Sequence, residues 1–103
     1  VIVDHLLFKP AYWADYVEVL NPDSTWFIGV TCGLDIVRER EASRPGRFPG
    51  TAVSQFEQVH AHGRSYDLTV DTSRKNPTAV ALEIAARLQQ APTAFHSMVA
   101  DRL

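Results

Sequence analysis

The fold is decided by the stretch Tyr66–Asp71, which reads YDLTVD. Apolar and polar residues alternate along it, and a period of two is typical of a β-strand with one covered face. The alternation places Asp67 on the polar face and favours an edge position in a sheet. A second run, Thr25–Val30, reads TWFIGV. Its nearly continuous apolar character predicts a strand that is buried on both faces.

Segments with helical spacing of apolar residues separate these strands. We expect helices over residues 9–20, 34–43, 51–60 and 76–90. Strands that alternate with helices predict an α/β domain with a parallel sheet. The tail, residues 91–103, follows a break at Pro92 and either forms a weak extra helix or stays loose.

Length and composition limit the class of protein. The chain has 103 residues, which suits one domain, and a formal net charge of −2, which argues against a nucleic-acid partner. Its one cysteine, Cys32, excludes an internal disulfide, and the four histidines lack a zinc-binding spacing. Because no apolar run is long enough to cross a bilayer, we expect no membrane association and a cytoplasmic location.

The chain opens on the apolar run Val1–Asp4, which reads VIVD, without an initiator methionine. This run predicts a buried parallel strand with Asp4 at its carboxyl end. Such an aspartate either helps to hold Mg²⁺, as a Walker B acid does, or caps the next turn. A domain seldom starts at a buried strand, so we expect the chain to be a fragment that lacks an N-terminal segment.

An arginine-rich segment begins in the last part of the second predicted helix and continues beyond its end. Residues 38–50 read REREASRPGRFPG and include four arginines, of which Arg44 and Arg47 lie beside Pro and Gly. The planar arginine fork matches phosphate oxygens, so one interpretation is the lid of a phosphoryl-transfer enzyme. The other interpretation is a solvated helix end, where Glu39 and Glu41 screen the arginines.

The last predicted strand ends in Asp71, Thr72 and Ser73. Ligands of α/β proteins bind at the carboxyl ends of parallel strands, so these polar residues are candidates for a binding site. The same residues could equally serve only as caps on the approach to the next helix.

The order of these motifs resembles the chloramphenicol 3-O-phosphotransferase family, a branch of the P-loop kinases. The family has a VGVRC strand, an RE-x-x-RGDR lid, a Q…VH helix and a YDLEVDT strand. The corresponding stretches here are FIGVTC at 27–32, RE-x-x-R-x-x-R at 40–47, Q-x-x-x-VH at 55–60 and YDLTVDT at 66–72. The resemblance covers about residues 1–90.

The resemblance implies a three-layer α/β fold with the parallel sheet of a P-loop kinase, in which residues 1–103 form the C-terminal part of a single domain. The first strands and the P-loop would be missing, so the sheet would be incomplete. Residues 25–30 and 66–71 would be parallel neighbours. The activity implied is transfer of the γ-phosphoryl group of ATP to a hydroxyl of a small molecule, as in antibiotic resistance.

The resemblance also implies a role for each candidate site residue. Asp4 would help to place Mg²⁺, Arg44 and Arg47 would neutralise phosphates from a lid at about 44–50, and Arg40 would reach phosphate or brace that lid. The nucleotide base would lie beside residues 71–73.

The chain departs from the family pattern at three places. Thr31 replaces an arginine, Pro45-Gly46 replaces the Gly-Asp of the lid, and the motif G-x-x-x-x-G-K-[ST] is absent. The catalytic aspartate of the family belongs to the same missing N-terminal part. A missing N-terminal segment or a partner chain would therefore have to supply these groups. The alternative function is a non-catalytic binding or interaction module derived from a P-loop kinase.

Overall fold

The structure is a computed structural model that describes residues 1–4, 10–43, 63–73 and 75–102. The predicted helix over 51–60 and the predicted lid at about 44–50 lie outside these residues. The elements, in chain order, are α1 (Pro10–Val19), β1 (Ile28–Thr31), α2 (Leu34–Ala42), β2 (Leu68–Asp71), α3 (Pro77–Arg87) and α4 (Ala94–Arg102). Helices and parallel strands together make an α/β fold.

Strands β1 and β2 are parallel neighbours, as predicted. Their register pairs Ile28 with Leu68 and Thr31 with Asp71. Both strands begin later than the sequence indicated. The backbone N–H of Phe27 donates to Asp67 Oδ2 at 2.8 Å instead of to a ladder carbonyl, so regular pairing starts one residue further on.

Local capping explains where α3 begins. Asn76 has an extended backbone, and its Oδ1 accepts a hydrogen bond from the Ala79 N–H at 2.8 Å. Pro77 occupies the first helical position, where its missing N–H costs nothing. This start agrees with the sequence prediction, whereas α3 ends three residues earlier than predicted.

The prediction of a buried strand at Val1–Asp4 was wrong. These residues belong to no strand, and the exposed fractions of Val1, Ile2 and Val3 are 124%, 96% and 61%. A buried strand needs neighbours for its backbone N–H and C=O groups. Over the described ranges the sheet contains β1 and β2 alone, and neither pairs with this segment.

The main apolar cluster lies between α1 and α4. Trp13, Phe95 and Met98 are 8%, 3% and 3% exposed, and Phe27 packs against this cluster from the strand side. The ring centroid of Phe27 lies 5.4 Å from that of Trp13 and 5.8 Å from that of Phe95, both edge to face. Such pairs add about 0.5–1.5 kcal/mol each to the burial of their area. The tail thus forms the helix that was one of its two predicted alternatives.

Asp67 connects both strands to the last two helices. Its side chain is 0% exposed. Oδ1 accepts the backbone N–H groups of Thr93 (2.7 Å) and Ala94 (3.0 Å), at the start of α4, and Oδ2 accepts that of Phe27. Arg87, near the end of α3, donates from Nη2 to Oδ1 at 3.3 Å and from Nε to the Asp67 carbonyl at 3.0 Å. The alternating pattern had placed Asp67 on the polar face, and this placement was wrong because the residue precedes β2 and caps α4 instead.

Two opposing effects act on the pKa of the Asp67 carboxyl. Burial raises it, whereas hydrogen bonds from the backbone N–H groups of Phe27, Thr93 and Ala94 and from the Thr93 hydroxyl lower it. The net result is a pKa below the ordinary value for aspartate. The folded protein therefore favours the carboxylate.

Tyr66 lies directly over Gly29. A Cβ atom at Gly29 would come within 2.7 Å of two Tyr66 ring carbons, closer than any real contact of this kind. Desolvation raises the pKa of the Tyr66 hydroxyl, which fits a ring held against the strand. The ring also lies 4.4 Å from that of Phe27, so glycine at this position lets the aromatic cluster meet β1.

No helix in the part of the chain that the structure describes is long and apolar enough to cross a membrane. Over the same residues, every buried side-chain nitrogen or oxygen has a hydrogen-bond partner.

We predict that Asp67→Ala lowers the free energy of unfolding by about 3–5 kcal/mol, because it leaves three backbone N–H groups without their acceptor and removes the carboxylate partner of a largely buried arginine. Urea denaturation measures this loss. The control is Asp101→Ala, which removes an exposed carboxylate 3.1 Å from Arg64. An exposed pair contributes about 0–1 kcal/mol, so an equal loss in both variants would contradict the role of Asp67.

The lowered pKa of Asp67 predicts a loss of stability in acid. An aspartate in the unfolded chain has a pKa of about 3.9, and the pKa of Asp67 in the folded chain is lower than this. The stabilisation is therefore complete above the unfolded pKa and disappears as the pH falls through the folded pKa. We expect the free energy of unfolding, measured with urea, to fall less between pH 6 and about pH 3 for Asp67→Asn than for the parent protein. Equal differences would show that other carboxyl groups cause the acid sensitivity.

We predict that Gly29→Ala costs about 1–3 kcal/mol, because its methyl group must displace the Tyr66 ring from a packed cluster. Thermal unfolding gives the difference. Gly33→Ala is the control, since its Cβ would lie 3.1 Å from Asp35 Oδ1, a side-chain atom that can rotate away. A larger loss of thermal stability in Gly33→Ala than in Gly29→Ala would contradict the role of the Tyr66 ring in excluding a side chain at Gly29.

Candidate functional site

The carboxyl ends of β1 and β2 meet at one edge of the sheet, because the strands are parallel and Thr31 is in register with Asp71. The chain leaves β1 through Cys32 and Gly33, and it leaves β2 through Thr72 and the residue that follows. We call residues 31–33 and 71–73 the strand edge. Ligands of open α/β sheets bind at this kind of edge.

Thr72 fastens the end of β2 to the end of β1. Its backbone N–H donates to the Thr31 carbonyl at 2.8 Å, and its hydroxyl donates to the same oxygen at 3.0 Å. The Thr31 hydroxyl in turn donates to the Val70 carbonyl at 3.2 Å. These bonds extend the pairing of the strands beyond the last ladder residue and fix the backbone of the strand edge.

Ser73 links the turn after β2 to the start of α2. Its Oγ accepts the backbone N–H of Gly33 at 2.7 Å, and its own N–H donates to Asp71 Oδ1 at 2.8 Å. The Ser73 hydroxyl also lies 3.8 Å from Cys32 Sγ. Gly33 is the N-cap residue of α2, so a side chain from the turn after β2 satisfies one of the free N–H groups at this helix end.

Arg40 reaches the strand edge from α2. Its Nη2 donates to the Thr72 carbonyl at 2.6 Å and its Nη1 to the Thr72 hydroxyl at 3.1 Å. Nη1 also lies 3.6 Å from Cys32 Sγ. The edge therefore carries a guanidinium group, the exposed carboxylate of Asp71, and hydroxyl and backbone groups. This set of donors and acceptors suits a polar ligand of low or mixed charge.

Four of the predicted site residues thus come together at the strand edge: Arg40, Asp71, Thr72 and Ser73. Asp4 lies in the exposed segment 1–4. The structure describes neither Arg44 nor Arg47.

A Mg²⁺ role for Asp4 stays a prediction. Among the described residues no three His, Cys, Asp or Glu side chains form a metal-binding group. Proteins often bind Mg²⁺ through one or two carboxylates, together with waters and substrate phosphates. One exposed aspartate is compatible with that kind of site.

Sequence analysis missed Cys32 and Gly33 as parts of the strand edge. From the sequence, Cys32 was used to exclude an internal disulfide, and Gly33 was left just ahead of the helix predicted over 34–43. A signal was available, since both come shortly after the predicted strand Thr25–Val30, just as Thr72 and Ser73 come directly after the predicted strand Tyr66–Asp71. Aligning the ends of the two predicted strands would have placed the two segments side by side.

Comparison with known proteins supplies the family. No curated protein and no solved structure matches the chain significantly. A family model described as chloramphenicol phosphotransferase-like protein matches residues 1–89. The match includes α1, both strands, α2 and α3, and therefore the whole strand edge. On this match, the chain belongs to the chloramphenicol phosphotransferase-like family.

Proposed function

We propose that the chain is the C-terminal part of a phosphotransferase of the P-loop kinase type, which transfers the γ-phosphoryl group of ATP to a hydroxyl of a small molecule. One observation carries the proposal. The family match covers the strand edge, and there side chains from two strands and a helix converge at the usual ligand position of α/β proteins.

In this proposal the strand edge holds the nucleoside part of ATP. Asp71, Thr72 and Ser73 present carboxylate, hydroxyl and backbone groups that can hydrogen-bond a base or ribose. A nucleoside is uncharged, and such a ligand is compatible with an edge that carries both an arginine and an aspartate. Arg44 and Arg47 would neutralise the phosphates, and Asp4 would offer one carboxylate to Mg²⁺.

The proposed reaction is a simple displacement at phosphorus. The acceptor oxygen bonds to the γ-phosphorus of ATP while the bond to the β,γ-bridging oxygen breaks, and the products are ADP, a phosphate monoester and a proton. Bound Mg²⁺ would supply neutralisation of the phosphate charge. The 103 residues contain no phosphate-cradling P-loop motif, so this proposal assigns the cradle to an N-terminal segment or a partner chain. Such an enzyme would use cytoplasmic ATP.

We predict that the full-length protein converts ATP to ADP only when Mg²⁺ and a hydroxylated acceptor are present. Mass spectrometry of a panel of small alcohols, chloramphenicol among them, would find one that gains a phosphoryl group. We expect Asp71→Ala to raise the KM for ATP more than it lowers kcat, because a base contact is made equally in the ground and transition states. Thr69→Ala, an exposed change on the same strand, is the control.

Two other results would contradict the proposal in different ways. Binding of ATP without any transfer would support the alternative, a non-catalytic module derived from a kinase. Failure to bind any nucleotide would contradict the assignment of the strand edge to the nucleoside as well.

A further inference from the structure

Arg40 is exposed, yet its guanidinium is occupied at the strand edge. Two of its nitrogens, Nη1 and Nη2, each donate to an oxygen of the same residue, Thr72, at 3.1 and 2.6 Å. This is the forked geometry in which arginine usually holds a carboxylate or a phosphate. Here the fork holds one hydroxyl oxygen and one backbone carbonyl of the protein itself.

The contact fixes one particular peptide group. The Thr72 carbonyl and the Ser73 N–H belong to the same planar unit, so Arg40 holds one side of that plane. Asp71 Oδ1 accepts the Ser73 N–H at 2.8 Å and holds the other side. The Ser73 hydroxyl is fixed through Gly33, at the opposite end of α2 from Arg40. Helix α2 therefore hydrogen-bonds the turn after β2 at two points, through Gly33 at its start and through Arg40 near its end.

We propose that Arg40 is a positioning residue, which orients the turn 71–73 toward the nucleoside of the phosphoryl donor and does not contact the phosphates. The inference rests on the proposed function. A lysine could not replace the arginine, because an ammonium group lacks the planar fork that spans the Thr72 hydroxyl and carbonyl. A phosphate-neutralising residue, in contrast, would keep much of its effect as lysine.

The test compares ligands that share a base but differ in phosphate number. Isothermal titration calorimetry gives the affinities of the full-length protein for ATP, ADP, AMP, adenosine and tripolyphosphate. The variants are Arg40→Ala, Arg40→Lys and Thr72→Val, which loses the hydroxyl. Arg38→Ala is the matched control, since it removes the same charge from an exposed position on α2. Melting temperatures identify a variant that fails to fold, and Arg40→Lys then takes the place of Arg40→Ala.

We expect Arg40→Ala to weaken all four adenine compounds by the same factor, about tenfold, and to leave tripolyphosphate binding unchanged. Arg40→Lys should lose nearly as much, Thr72→Val should lose less, and Arg38→Ala should match the parent protein. A loss that grows with the number of phosphates, or recovery in Arg40→Lys, would overturn the positioning role while leaving the proposed function intact. A parent protein that binds none of the five compounds would contradict both.

Discussion

The fold depends on the buried carboxylate of Asp67. A charge in the interior is stable only when hydrogen bonds replace the water that it has lost. Asp67 obtains these bonds from the start of β1, the end of α3 and the start of α4, so ionisation of one residue fixes three segments that are distant in sequence. Because α4 carries Phe95 and Met98 into the cluster around Trp13, the position of the main apolar cluster also depends on this cap.

Parallel pairing explains why polar residues gather at the opposite end of the same strands. Alignment of Ile28 with Leu68 forces Thr31 to lie beside Asp71. The chain then leaves both strands through short polar segments, in which the Thr72 N–H makes one more backbone hydrogen bond, to the Thr31 carbonyl. Side chains from Thr72, Ser73 and Arg40 satisfy or orient backbone groups of these segments, and the strand edge follows from the register.

The regular features of this fold could be predicted from sequence because their causes are local. An alternating pattern indicated one strand and a nearly continuous apolar run indicated the other, and Asn76 followed by Pro77 marked the start of α3 through its own cap. The role of Asp67 could not be predicted in this way. Its partners lie 20 to 40 residues away, and within YDLTVD it has the spacing of a solvent-facing residue. The prediction of a strand at Val1–Asp4 was wrong for a related reason, because an apolar run becomes a buried strand only where neighbouring strands pair with it.

Only those features of the candidate site that have a local cause could be predicted from the sequence. Asp71 was identifiable because it ends a predicted strand. The hydrogen bond from Arg40 to Thr72 joins residues 32 positions apart, and no local sequence pattern indicates it.

The buried carboxylate of Asp67 and the strand edge proposed to bind a nucleoside therefore lie at opposite ends of β2. Asp67 precedes the strand and Asp71 ends it, and four residue steps of extended chain separate them by about 13 Å. The two carboxylates also differ in surroundings, since Asp67 is fully buried and Asp71 is exposed. Helix α4, which Asp67 caps, lies beyond residues 1–89, whereas the strand edge lies within them. The family match thus includes the edge and the capping aspartate but not the helix that is capped. Among the described contacts, α4 connects to the edge through both strands, because Asp67 caps it ahead of β2 and Phe95 packs on Phe27 ahead of β1. The hydrogen bonds of Thr72 to Thr31 join the far ends of these strands without using any residue of α4.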